Sequence, residues 1–397
     1  MMEVPVVERR RRGAAGSGLW GDPWQARDAP GRRVSARLAL AVLTVVLASG
    51  LSTSVEARKK RAMIIIYDGF GTPEMARVSG RVLEDKGFTK AQEGERWTRR
   101  IRRSWRLLES DEIEDARLQV TIGTRRFTLK SDDEGLFSVH VRGLGLGAHE
   151  VRAKLLETRP YRLRAGRIFV APKPEPKGAL RLAVISDIDD TVLQTGVKNK
   201  LKLIKKVLLS NATQLKTYRD APALFRRFAA RGFPVVFVSG SPINLYPRLR
   251  AFFRLRGFPR APMLLKNLGV GKGSDSLFGQ KTYKLKRITE AFRLLPRYRF
   301  ILIGDSGEKD PEIYRAVAKR FPKRVAAVLI HNVSHAKADD DRYQGQYIFA
   351  GYRQAVDYLV RKKILPVASV AGGKAVKGKA VKGKAVKAKA KERSLVR

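Results

Sequence analysis

A chain of 397 residues, 44% of them hydrophobic, exceeds what one small core needs and predicts two folded units with flanking segments. It contains no cysteine, which excludes disulfides and zinc–thiolate sites. Its formal net charge of +45 favours polyanionic partners: nucleic acid, anionic lipid head groups or phosphorylated substrates.

The positive charge is spread along the chain. Residues 374–397 hold ten Lys/Arg against Glu392, residues 1–37 hold eight Arg against four acids, and +32 remains for the part between. Near the start, Arg32, Arg33 and Arg37 precede an apolar run from Leu38 to Leu47 and then small residues up to Ala57. A basic start, a short apolar centre and a small-x-small end describe a secretory signal peptide. The run is short for a membrane span. Residues 1–57 are therefore expected to be an arm and signal, cleaved after Ala57 or retained as an anchor. The expected location is exported, periplasmic or otherwise extracytoplasmic, and membrane-associated.

Residues 62–171 carry period-two alternation: Val78, Gly80 and Val82; Leu118, Val120 and Ile122; Phe127 and Leu129; Phe137, Val139 and Val141; Val151, Ala153 and Leu155. Such spacing predicts half-buried antiparallel strands and a small β-sandwich. Asp132-Asp133-Glu134-Gly135 is expected to close a hairpin, and Trp97 to Leu108 has helical spacing. Pro172-Lys-Pro-Glu-Pro176 reads as a stiff extended linker. Beyond it, over 178–365, short apolar strands (Leu180–Ile185, Val235–Val238, Met263–Leu265, Phe300–Ile303, Val325–Ile330) alternate with amphipathic helices (Ala223–Ala230, Leu245–Leu255, Lys284–Leu295, Glu312–Arg320). The expected fold class is α/β, with a Rossmann-like parallel sheet covered on both faces and ligands at the carboxyl ends of its strands. Residues 371–397 are a Lys/Ala/Gly/Val repeat that cannot bury a core and are expected to be disordered.

The chemistry concentrates at strand ends. Val184-Ile-Ser-Asp187-Ile-Asp189-Asp190-Thr191 delivers three carboxylates within four residues from a buried strand. Such crowding is costly unless a cation neutralises it, and Mg²⁺ takes hard oxygen ligands of this kind. Val235-Val-Phe-Val-Ser239-Gly240-Ser241 ends the next strand in hydroxyls. Lys284 opens a helix, with Lys281 and Lys286 as rivals. Ile301-Leu-Ile-Gly304-Asp305 ends a further strand, and Asp310 follows five residues later. Asp310 precedes Pro311, so a helix-capping role stands beside a metal role. His331 and His335 lie near a strand end without a metal-ligand pattern, which favours structural or surface roles.

This order of motifs resembles the haloacid dehalogenase superfamily. The resemblance implies that Asp187 is a nucleophile forming an aspartyl-phosphate and that Asp189 is the general acid, then base. Ser239 and Lys284 would hold and neutralise the phosphoryl group, with Thr191, Gly240 and Ser241 contacting substrate. Asp187, Asp305 and the main chain of Asp189 would bind Mg²⁺, and Asp310 would support that site. Ser186-Asp-Ile-Asp-Asp-Thr191, Ser239-Gly-Ser-Pro-Ile-Asn-Leu-Tyr246 and Gly304-Asp-Ser-Gly-Glu-Lys-Asp-Pro-Glu-Ile-Tyr314 are similar to the bacterial branch of the actin-patch-associated phosphatidate phosphatase family, as are Gly71-Thr-Pro73 and Asp133-Glu-Gly135. That likeness implies release of diacylglycerol from phosphatidate. Lys198 to Leu209, basic and apolar at once, is either a helix for an anionic membrane surface or one packed on the domain. Two other readings follow from the charge: a phosphatase of nucleotide or nucleic-acid ends with a polyanion-binding tail, or a non-catalytic module for anionic surfaces. An export signal argues against the first, and the complete set Asp187, Asp189, Lys284 and Asp305 argues against the second.

Overall fold

A computed structural model describes residues 61–85, 111–174, 181–195, 213–267, 279–337 and 339–366. All lie within one compact unit. The expected signal segment, the 97–108 helix, the basic segment 198–209 and the tail lie outside the described residues.

The first part is all β: β1 (Ala62–Thr72), β2 (Met75–Glu84), β3 (Arg117–Ile122), β4 (Arg125–Lys130), β5 (Leu136–Val141), β6 (Gly147–Leu155), β7 (Tyr161–Arg164) and β8 (Gly166–Val170). These strands form one sheet of order β4-β3-β6-β8-β1-β2-β5, with β7 also paired to β1. The sheet coils until its end strands β4 and β5 approach each other. The expected sandwich is thus one curled sheet over one core. The expected hairpin at Asp132–Gly135 is corrected: β4 pairs with β3 and β5 with β2, so the turn links opposite ends of the sheet. Its local chemistry is that of a turn. Asp132 Oδ1 accepts the N–H groups of Glu134 and Leu136, and Gly135 supplies the φ of 67°.

β1 is buried along its whole length, on both faces. Ile64 and Ile66 point into the core of the curled sheet, with Val78, Val120 and Ile168. Met63, Ile65 and Tyr67 point the other way, into a core shared with Val184, Phe225, Phe237 and Ile303 of the second part. Period-two geometry turns a continuous apolar run into a strand that serves two cores. A register shift between Tyr67 and Phe70 then re-aims Asp68.

The second part is a six-stranded sheet containing β9 (Leu182–Ser186), β12 (Val235–Pro242), β13 (Met263–Lys266), β14 (Arg299–Asp305), β15 (Val325–His331) and β16 (Tyr347–Phe349). Its order is β13-β12-β9-β14-β15-β16, all parallel. The helices are α1 (Ala221–Ala230), α2 (Tyr246–Leu255), α3 (Gln280–Leu294), α4 (Asp310–Arg320) and α5 (Tyr352–Arg361). A small hairpin, β10 (Leu193–Gln194) with β11 (Lys216–Thr217), follows β9. One apolar cluster lies with α1, α2 and α5, and another with α3 and α4. The expected α/β class and parallel sheet are what the chain forms. Strand order reverses at β9, so the carboxyl ends of β9, β12 and β14 flank one crevice.

Gly304, in β14, admits close approach of α4. A Cβ there would overlap Asp310 Oδ2 and come within 2.7 Å of the Tyr314 ring. Both neighbours are fully buried and have no room to shift. Gly304→Ala should therefore destabilise the protein by about 1–3 kcal/mol, read from the midpoint of urea unfolding at unchanged slope.

Candidate active site

Asp187 is the first residue past β9. Its main-chain N–H donates to Ile303 O at 2.8 Å, which ties the segment after β9 to β14. Its side chain is 1% exposed, and Oδ1 lies 2.7 Å from Lys284 Nζ. Oδ2 is buried with no hydrogen-bond partner. Two residues on, Asp189 Oδ2 accepts hydrogen bonds from Ser239 Oγ and Ser241 Oγ, both at 2.7 Å. The Ser241 N–H in turn donates to Ser239 Oγ at 2.9 Å, closing a small ring at the end of β12. Asp189 Oδ1 is buried and unpartnered.

Lys284 is in the first turns of α3 and is buried, whereas Lys281 and Lys286 are exposed. Its ammonium also meets Asp310 Oδ1 at 2.5 Å and Glu308 Oε2 at 3.5 Å. At the end of β14, Asp305 Oδ1 accepts the N–H groups of Gly307 and Glu308 at 2.7 and 2.9 Å. Asp305 Oδ2 is left without a partner. Asp310 does not cap its helix: α4 has no side-chain cap, and the Asp310 carboxylate goes to Lys284 and to the Asp305 N–H at 3.4 Å.

Ligand atoms of Asp187, Asp305 and Glu308 lie within 4.8 Å of one another. The sequence reading named Asp187 and Asp305 for the metal and passed over Glu308. Asp310 lies outside that trio, engaged by Lys284. A carboxylate set with unpartnered oxygens on Asp187 and Asp305 suits a hard divalent cation. Glu308 could have been suspected from its place inside Asp305-Ser-Gly-Glu308, but an acid in a loop carries no periodicity that says which way it points.

Burial dominates the proton affinities. It raises the Asp187 and Asp305 carboxyls well above their ordinary value; Lys284 opposes this and neighbouring carboxylates add to it. Asp189 is raised to about 6, by burial first and then by Glu308, against the two serine hydrogen bonds. For Lys284, burial favours losing the proton, but Asp187, Asp310 and Glu308 outweigh it and the amine stays charged.

The remaining expected residues fall as follows. Thr191 is buried; its carbonyl accepts from Tyr352 OH at 2.6 Å, and its hydroxyl has no partner. Gly240 sits half-buried between the two serines, and Ser241 turns its hydroxyl to Asp189. Asp190, at φ 53°, ties its own loop by accepting from Thr195 N at 2.9 Å. His331 supports that loop: Nδ1 lies 3.0 Å from Asp190 O, and the ring stacks on Phe349 and meets Tyr218 edge-on. Burial lowers the proton affinity of His331. His335 is exposed.

Residues 182–332 match the family described as phosphatidate phosphatase APP1, catalytic domain. Phosphatidate phosphatase APP1 of Saccharomyces cerevisiae is 28% identical over 159 residues, 40% of this chain and 27% of the yeast protein. An uncharacterized protein of Schizosaccharomyces pombe is 30% identical over 152 residues, 38% of this chain and 25% of that protein. The chain thus spans about a quarter of the length of these relatives. Among solved structures, a phosphoserine phosphohydrolase-like protein from Francisella tularensis is 15% identical with a TM-score of 0.30, covering 45% of this chain and 99% of that one. A phosphoserine phosphatase in its apo form is 14% identical with a TM-score of 0.31, also over 45% and 99%. Over residues 182–332 the chain is similar to the APP1 catalytic domain, and that segment is carried on a Rossmann-like parallel sheet.

Proposed function

We propose that this protein is a Mg²⁺-dependent phosphomonoester hydrolase working through an aspartyl-phosphate, with phosphatidate-type lipids as substrates. One observation carries the chemistry. Asp187 presents an unpartnered, buried carboxylate oxygen beside Lys284, and Asp189, two residues on, is raised to about 6.

In the first step a carboxylate oxygen of Asp187 attacks phosphorus, and the bond from phosphorus to the leaving oxygen breaks. The protonated Asp189 carboxyl gives its proton to that oxygen. Ser239 and Ser241 fix the Asp189 carboxyl through Oδ2, which leaves Oδ1 to face the reaction. In the second step water attacks phosphorus, its proton returns to Asp189, and the bond to Asp187 breaks to free phosphate. Lys284 stays charged and offsets negative charge at Asp187 throughout. Mg²⁺, held by Asp187, Asp305 and Glu308, would supply neutralisation of the phosphoryl oxygens. The lipid substrate is supported by the similarity to the yeast enzyme over its catalytic domain and by the +45 charge, which suits an anionic membrane surface.

Asp187→Asn should abolish phosphate release, both from phosphatidate in mixed micelles and from a soluble phosphomonoester, while circular dichroism is unchanged. Turnover near the parent rate would refute the mechanism.

EDTA should stop turnover and Mg²⁺ restore it. Glu308→Gln should raise the Mg²⁺ concentration for half-maximal rate by about tenfold. A Mg²⁺ dependence like the parent's would remove Glu308 from the metal site.

Asp189 binds its proton more tightly in the folded protein, at about 6, than at its ordinary value of 3.8. In metal-free protein its stabilising contribution is therefore full below about pH 4 and lost as pH rises through about 6. Asp189→Asn should remove a loss on the order of 2 kcal/mol between pH 4 and 7, measured by urea unfolding in EDTA. Equal pH slopes for parent and variant would contradict the shift.

A further inference from the structure

Asp68 has no part in the chemistry above, yet its side chain is 1% exposed and carries two arginines. Arg260 meets it through Nε at 2.9 Å and Nη2 at 2.7 Å, and Arg250 through Nη1 at 2.9 Å. The Arg167 N–H also donates to it, at 2.8 Å. The register shift in β1 sets this carboxylate in place. Gly69 is needed there because a Cβ would strike the backbone of Arg77 and Val78.

A cavity of about 490 Å³ opens at this point, within the range of small-molecule sites. Arg164 of β7 and Arg254 of α2 line it together with Arg250 and Arg260. Asp68 is the one acid in the lining, so four guanidiniums face one carboxylate, a formal +3. The side chains of Arg164 and Arg254 meet no carboxylate among the described residues. Arg250 and Arg260 spend only part of their forks on Asp68, which holds them in fixed orientation and leaves other N–H groups to donate. Ile65, Phe258 and Met263 add apolar wall. None of the lining residues belongs to the catalytic group.

We propose that this cavity is a second anion site, taking the phosphate group of a small molecule or of a lipid head group on the Arg164, Arg250, Arg254 and Arg260 guanidiniums. Like charges gathered in a partly desolvated cleft repel one another, and an anion relieves that repulsion. Guanidinium forks match phosphate oxygens in bidentate geometry. Asp68 acts as the fixed base that aims two of the four forks.

The test is inorganic phosphate binding by calorimetry in EDTA. Under those conditions turnover is off and the Lys284 ammonium is already engaged by Asp187, Asp310 and Glu308, so this binding is read separately from turnover. The double variant Arg164→Glu/Arg254→Glu should bind phosphate at least tenfold more weakly than the parent. It should keep parental turnover of a soluble phosphomonoester with Mg²⁺. Arg126→Glu/Lys154→Glu makes the same change in net charge at exposed positions of β4 and β6, and should bind as the parent does. Co-sedimentation with phosphatidylglycerol vesicles separates the sources. Weaker sedimentation of the cavity variant alone points to a lipid head group, and unchanged sedimentation to a free phosphate. Equal loss of phosphate binding in both double variants, or none in the cavity variant, overturns the proposal.

Discussion

Lys284 holds one ammonium, 1% exposed, against Asp187, Glu308 and Asp310, which arrive from the end of β9, the loop after β14 and the first turn of α4. Burying a charge of this kind costs several kcal/mol unless its partners are close and well placed. Burial lowers the proton affinity of the amine, and the three carboxylates more than restore it. The dependence also runs the other way, because Asp187 and Asp310 are buried acids whose charged forms need the lysine. The catalytic geometry therefore requires β9, β14, α3 and α4 to be fixed together. The supports are visible in the packing: the Asp187 N–H on Ile303 O, the Tyr314 hydroxyl on the same carbonyl at 2.9 Å, and Gly304 letting α4 come close.

The curled sheet extends this constraint to the other side of the crevice. Arg81, buried, donates to the Glu134 carbonyl at 2.8 Å and reaches Asn244 Oδ1 at 3.3 Å. Glu134, also buried, accepts from Asn267 Nδ2. Asn244 lies three residues past Ser241, and Asn267 directly follows β13. Asp68 adds a third tie, accepting from Arg250 while its N–H donates to Tyr246 OH at 2.9 Å. All three ties end on the stretch from Asn244 to Asn267, which begins just after the serines that hold Asp189. Buried polar bridges of this type favour one arrangement of packed elements over close alternatives. The first sheet is thus part of the frame around Asp189.

Much of this was legible in the sequence, and the reasons are local. The parallel strands are apolar runs between amphipathic helices, and the candidate site residues lie at their ends, so β9, β12 and β14 and their terminal residues could be read in order. Period-two alternation likewise marked β2, β3, β5 and β6. Other features depend on contacts between distant residues. Asp132–Gly135 has the composition of a hairpin turn, but pairing is decided by which strand lies beside β5, and that is β2. β1 reads as one apolar run, and the two cores it serves appear only when the second part packs against Met63, Ile65 and Tyr67. Asp310 before Pro311 looked like a cap; the lysine 26 residues upstream takes its carboxylate instead. Glu308 gave no signal beyond its loop, because its approach to Asp187 depends on β9 and β14 lying side by side.

The charge distribution gives these pieces a common sense. Over the whole chain 82 Lys/Arg stand against 37 Asp/Glu, while the crevice gathers five of those acids, Asp187, Asp189, Asp305, Glu308 and Asp310, around one lysine. A basic exterior raises the local concentration of anionic substrates, but it cannot by itself bring a phosphate dianion up to a carboxylate nucleophile. That last approach needs positive charge inside the crevice, and Lys284 is already shared among three acids. The unpartnered oxygens of Asp187 and Asp305 are therefore the feature that decides the reading. Left bare, these buried carboxyls hold a proton more tightly than ordinary ones, whereas the proposed attack needs Asp187 ionised. In the proposed reaction Asp187 and Asp305 would hold a divalent cation on these oxygens, which would favour the ionised form of Asp187 and the approach of phosphate, while Asp189, held by its two serines, would keep the proton that the leaving group requires.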